Sequence, residues 1–124
     1  MPTHIPWNKK RPYESLYNHF CAAAKIARHP VDLTFEEFVE FTKISACSYC
    51  ERPVTWAAHN ITFRGKRNSA YNLDRLDNAK GYEKSNLVVC CGVCNNGRAD
   101  RFTPEEWKVM VHALLEFRRY GVLL

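Results

Sequence analysis

The chain has 124 residues, with 18 Lys and Arg against 13 Asp and Glu, a formal net charge of +5, and six cysteines. That length suits one domain, and 46% apolar with 25% charged residues excludes a disordered tail. No run approaches the ~18 apolar residues of a membrane span, and Met1-Pro2-Thr3-His4-Ile5-Pro6-Trp7 lacks the basic-then-apolar order of a signal peptide, so a cytoplasmic protein with no membrane partner is expected.

Residues 1–12 contain Pro2, Pro6 and Pro12 and the run Lys9-Lys10-Arg11, which reads as an extended basic arm. A helical flank is expected over 13–45. Its first helix covers about 13–28, with Leu16, Phe20, Ala24 and Ala27 at helical spacing, and His29-Pro30 stops it because the residue before proline leaves helical space. A second helix starts at Thr34, where Glu37 completes a capping box and Phe35, Phe38, Val39 and Thr42 share a face. The core segment, 46–100, is rich in Cys, Asn, Gly and Arg and carries short apolar pieces. Residues 73–76 and 87–89 read as strands, and 77–82 as a turn-rich loop. The last segment, 101–124, holds a helix that starts at Thr103 with Pro104 first and Glu106 closing a second capping box. Trp107, Met110, Val111 and Leu114 mark its apolar stripe, and Gly121 lies just past its end.

Reduced thiols in the cytoplasm point to metal ligation rather than disulfides. Cys47-Ser48-Tyr49-Cys50 and Cys91-Gly92-Val93-Cys94 are two C-x-x-C pairs, each able to present two thiolates to one ion. Together Cys47, Cys50, Cys91 and Cys94 make a tetrahedral set that suits structural Zn²⁺, one per chain. Cys90 competes with Cys91, but the x-x spacing to Cys94 favours Cys91. Cys21, on a helix, reads as a core residue. Four thiolates leave no open coordination position, so this zinc is architectural. It would also lower the net charge from +5 to +5 − 4 + 2 = +3.

Between the pairs run Asn72-Leu73-Asp74-Arg75-Leu76-Asp77-Asn78 and Gly81-Tyr82-Glu83-Lys84-Ser85-Asn86-Leu87, followed by Cys94-Asn95-Asn96-Gly97-Arg98. This ordered set resembles the HNH endonucleases, the zinc-bearing branch of the ββα-metal nucleases, and in particular small phage-type members with a D-R-x-D motif. The specific match covers 47–98, and the flanking segments are similar too. The resemblance implies an α+β fold: a ββα-metal motif braced by the Cys₄ zinc site and packed with N- and C-terminal helices. It implies a DNA endonuclease or nickase that hydrolyses phosphodiester bonds with one catalytic Mg²⁺ or Mn²⁺. Carried over position by position, Asp74 is the acidic metal ligand, Asn86 the asparagine that braces the loop, and Asn95 the second metal ligand. Arg98 falls near a basic residue that would face a phosphate.

Position 75 departs from that pattern. The family usually has a histidine there as general base, because imidazole titrates near neutrality. Arg75 stays protonated and can stabilise phosphate charge but is a poor base. Asp77, metal-bound water and a histidine from elsewhere such as His59 are the candidates left for that task. On their own, Asp74 and Asp77 would equally suit a self-capped turn. Lys9, Lys10, Arg11, Arg64, Lys66, Arg67 and Arg98 are expected contacts to the DNA backbone, whereas Arg118 and Arg119 suit a helix C-terminus. Cutting both strands would require two subunits, hence a homodimer, or two visits. The rival reading is a non-catalytic zinc-stabilised DNA-binding module, motivated by Arg75.

Overall fold

The computed structural model describes residues 10–56, 62–63, 66–67 and 72–121. Lys9, Arg64 and His59 lie outside the described residues. Of Lys10, Arg11, Lys66 and Arg67 the backbone is described.

Helix α1, Lys10–Ile26, begins inside the segment read as an extended arm. Pro12 sits in its first turn, where a missing N–H costs nothing. Leu16, Phe20 and Ala24 form the buried stripe. The helix ends on a Schellman-type turn: Arg28 takes a left-handed φ of 61°, and the N–H of His29 bonds the carbonyl of Ala24 at 2.9 Å. The next residues run as β1, Val31–Asp32, then into α2, Phe35–Thr42. The Thr34–Glu37 capping box has both its bonds, at 2.9 and 3.1 Å. Phe38, Val39 and Thr42 are buried, and Phe38 meets Phe20 and Trp56 with ring centroids 5.4 and 6.0 Å apart.

The centre is built from pairs of short strands. β2, Thr62–Phe63, and β3, Lys66–Arg67, form an antiparallel pair. β4, Leu73–Arg75, pairs antiparallel with β6, Leu87–Val89, placing Asp74 opposite Val88. Helix α3, Gly92–Arg98, follows β6 directly, so β4, β6 and α3 make a ββα unit. β5, Tyr82–Glu83, pairs parallel with β1. That pairing brings Pro30 so close to Gly81 that a Cβ there would lie 2.3 Å from the Pro30 carbonyl oxygen. Only glycine allows this approach without a backbone shift.

Helix α4, Pro104–Tyr120, has both bonds of its Thr103–Glu106 capping box and ends on left-handed Gly121. Its inward stripe differs from the expected one. Val111 is buried and Trp107 and Leu115 pack on the core, while Met110 and Leu114 are 44% and 43% exposed. The true stripe runs at i, i+4, i+8, and the other apolar residues lie one step around the helix. No helix among the described residues is long and apolar enough to cross a membrane.

Candidate metal centre and catalytic cleft

The first C-x-x-C sits on a tight turn closed by the bond from Cys47 N to Arg52 O, 2.8 Å, with Glu51 in the left-handed region at φ 65°. The N–H of Ser48 donates to Val89 O at 2.8 Å, fastening this turn to β6. The second pair straddles the start of α3, where the Cys94 N–H donates to the Cys91 sulfur at 3.4 Å. The sulfurs of Cys47, Cys50, Cys91 and Cys94 all lie within 4.8 Å of one another, and Cys50 Sγ is 3.7 Å from Cys91 Sγ. Tetrahedral Zn–S bonds of about 2.3 Å place sulfurs about 3.8 Å apart, so the donor set fits zinc. Among the described residues no other cluster brings three or more metal-ligating side chains together. Cys90 is fully buried in the core instead, which resolves its competition with Cys91.

The electrostatics of the cluster agree. Cys91 and Cys94, donating to the Cys47 sulfur, pull the Cys47 thiol far below its ordinary range. The same contacts push the Cys91 and Cys94 thiols up, because each further thiolate meets charge already present. A bound divalent cation removes that conflict. The indole N–H of Trp107 is buried without a conventional partner and pulls the Cys94 thiol toward thiolate against the effect of Cys47 and Cys91. Such an N–H can serve as an outer-shell donor to a metal-bound sulfur. Gly97 makes room for it, since a Cβ there would lie 2.6 Å from the Trp107 ring.

One turn further along α3 the picture changes. Asp74 on β4 is 3% exposed, and the Arg98 side chain, 1% exposed, spans both its oxygens at 2.8 and 2.9 Å. The Tyr49 hydroxyl donates to the same carboxylate, and its own proton is held well above the usual phenol range by burial and by Asp74. Arg98 also donates to the carbonyls of Arg75 and Phe102 at 2.5 and 2.8 Å. Arg98, expected to face a phosphate, is instead the buried partner of Asp74. Asn95 lies on the same helix, its amide 3.4 Å from Leu73 O. As arranged, these residues do not fit a catalytic divalent ion, because a guanidinium already occupies the carboxylate that would hold it.

The loop after β4 is organised by Asn86. Its Oδ1 accepts from Asp77 N at 2.9 Å, and its Nδ2 donates to Asp77 O and Gly81 O at 3.1 and 3.0 Å. β4 ends at Arg75, so Asp77 lies in the turn rather than on the strand face, where its Oδ1 accepts from Ala79 N at 2.9 Å. Asp77 is exposed, and it borders an open cleft of about 310 Å³ together with Asn78, Asp100 and Arg101.

Arg75 reaches across this loop. Its Nη1 donates to Asn78 O and Lys80 O, both at 2.9 Å, and its guanidinium carbon stands 5.6 Å from the Tyr82 ring centroid. Its Nη2 lies 3.1 Å from Nε2 of His29. In the sequence, His29 before Pro30 reads only as a helix stop. The signal that it does more is tertiary: β1 and β5 pair in parallel and carry it 46 positions back to Arg75.

No family model matches the chain, and no curated protein matches it. The β4–β6–α3 unit, bound to a four-cysteine cluster and flanked by helices, has the HNH fold. The solved structure that shows this is the rare-cutting HNH restriction endonuclease PacI, described for its mechanism of DNA perturbation. The two share 22% identity and a TM-score of 0.66, with 89% of this chain and 82% of that chain covered.

Proposed function

We propose that this chain is a DNA endonuclease or nickase that hydrolyses phosphodiester bonds, with Cys47, Cys50, Cys91 and Cys94 holding one structural zinc. The observation that carries the reading is the fold shared with PacI over 89% of the chain, joined to a ββα unit that carries Asp74 on β4 and Asn95 on α3, with Asn86 just ahead of β6. Zinc supplies the fastening between the first knuckle and α3. The chain's own residues do the rest. Arg75, its Nη1 edge fixed by two loop carbonyls, is the phosphate contact. Asn86 holds the loop that presents it. Lys10, Arg11, Lys66 and Arg67 supply backbone affinity that is blind to sequence and falls with salt. A Mg²⁺ or Mn²⁺ requirement is the part of the reading that the Asp74–Arg98 pair opposes.

Two copies would serve a double-strand break, and α4 offers the surface. Met110, Leu114 and Phe117 form an exposed apolar stripe, 43–47% exposed. Glu105 and Glu106 lie in the first turn, and Arg118 and Arg119 in the last. An antiparallel pairing with a second α4 would match acidic end to basic end.

The test uses supercoiled plasmid and zinc-loaded protein with Mg²⁺, Mn²⁺ or EDTA. Nicking that is lost in Arg75→Ala supports the nuclease. Binding without cleavage in every condition turns the assignment to the DNA-binding module. Sedimentation of wild type against Leu114→Asp reads the dimer: equal monomers in both would discard it.

A further inference from the structure

The nuclease reading leaves one question of chemistry open, since Arg75 stands where a proton acceptor is needed and cannot itself accept one. The geometry around Arg75 answers it. The left-handed turn at Arg28 and the bond from His29 N to Ala24 O fix where the chain leaves α1. The Tyr82 N–H donates to Pro30 O at 2.8 Å and locks the following residue onto β5. Between these two anchors, the His29 ring packs edge-on to Tyr82, centroids 6.0 Å apart. Its Nε2 meets the Nη2 edge of Arg75 at 3.1 Å. Guanidinium nitrogen is only a donor, so Nε2 is the acceptor there, with its lone pair directed at Arg75. The Nη1 edge is held by Asn78 O and Lys80 O. An arriving phosphate therefore finds Nη2, and a charged oxyanion is a stronger acceptor for it than neutral imidazole.

We propose that His29 is the catalytic base, freed to accept a proton from the attacking water when a substrate phosphate takes the Nη2 edge of Arg75. The proposal rests on the nuclease reading above. In the step, an O–H bond of water breaks and its proton passes to Nε2. The water oxygen bonds to phosphorus while one ester P–O bond breaks, and the electron pair leaves with the departing oxygen. That oxygen takes a proton from solvent, and the imidazolium returns one to solvent. Among the described residues, the charged and titratable groups that face His29 are Arg75 from β4 and Tyr82 from β5. Burial, then the charge of Arg75, lowers the pKa of His29 from its ordinary 6.5. The ring is thus unprotonated at neutral pH, in the form a base requires.

The experiment compares wild type, His29→Gln and His29→Gly, all zinc-loaded and full length, in single-turnover nicking of plasmid from about pH 5 to 8. Gln keeps an acceptor for Arg75, and zinc content and circular dichroism verify folding. The wild-type rate should rise with pH along a limb centred below the ordinary imidazole value of about 6.5 and then level off. His29→Gln should lose about 100-fold or more in rate and lose the limb, with DNA affinity unchanged. Added imidazole should restore part of the rate to His29→Gly. A His29→Gln protein that keeps its rate and its acid limb overturns the assignment. So does one whose loss is entirely in DNA affinity. A wild type that binds but never nicks overturns the nuclease reading itself, a result separate from either.

Discussion

Helix α3 carries two centres one turn apart, and they handle charge in opposite ways. At Cys91 and Cys94 four sulfur donors converge and compete for protons, so that one thiol is acidified at the expense of its neighbours. At Arg98 a single carboxylate has its counter-ion supplied by the chain, on the same helix. The first centre has the donors, the spacing and the unmet charge of a metal site. The second has its charge already met. Sequence spacing makes the two look alike, because both are sets of ligand-type residues at motif positions. They differ in which group faces the donors after folding.

The largest effect should come from the sulfur centre. Cys91→Ser removes one of four ligands from a site whose zinc form is worth about 10–16 kcal/mol in small zinc-fastened peptides, against a total stability of about 5–15 kcal/mol for a domain. The variant should bind no zinc and lose its far-ultraviolet circular dichroism. Cys90→Ala should keep one zinc per chain by elemental analysis. If the two behave alike, the ligand set named here is wrong.

Next in size is the carboxylate centre. Arg98→Met leaves Asp74 buried without its counter-ion, which costs about 3–5 kcal/mol and should appear as a lowered melting temperature. Adding Asp74→Asn to that variant removes the unpaired charge and should return part of the loss. The comparison between the centres breaks if Mg²⁺ alone restores Arg98→Met to wild-type stability. Asp74 would then be a metal ligand that Arg98 occupies at rest.

Much of this was legible in the sequence. The capping boxes at Thr34 and Thr103, the two C-x-x-C pairs, both strands of the ββα unit and most of the 77–82 turn follow local rules and are where those rules place them; Tyr82, expected in that turn, instead opens β5. What was missed is tertiary. The Met110–Leu114 stripe was misjudged because two adjacent faces of α4 are apolar, and the sequence does not show which one meets the core. Arg98 reads as a phosphate contact in the sequence because nothing local reveals that Asp74 lies beneath it. His29 looked like punctuation, as a residue before proline usually is. Its contact with Arg75 depends on a two-residue parallel pairing too short to leave any periodic trace.

That pairing yields the smallest and most selective prediction. Gly81→Ala and Gly97→Ala each add one methyl group against a close neighbour, one beside the β1–β5 pair and one beside the sulfur centre. At Gly97 the neighbour is the rim of the Trp107 ring, a side chain at 2.6 Å. At Gly81 it is backbone, the Pro30 carbonyl oxygen at 2.3 Å, which cannot move without pulling on the Tyr82–Pro30 bond and on His29 beside it. Each change should cost about 1–3 kcal/mol, the ordinary penalty of overpacking. Their effects on catalysis should nevertheless diverge. Gly81→Ala should slow nicking by more than its loss of stability explains, because it moves His29 relative to Arg75, and zinc should stay bound. Gly97→Ala disturbs the residue that faces Cys94 and should weaken zinc retention against a chelator, with little change in the rate of the loaded protein. Equal effects of the two variants on both readouts would mean that the β1–β5 pair and the sulfur centre are mechanically one unit, and that His29 is not placed separately from the zinc site.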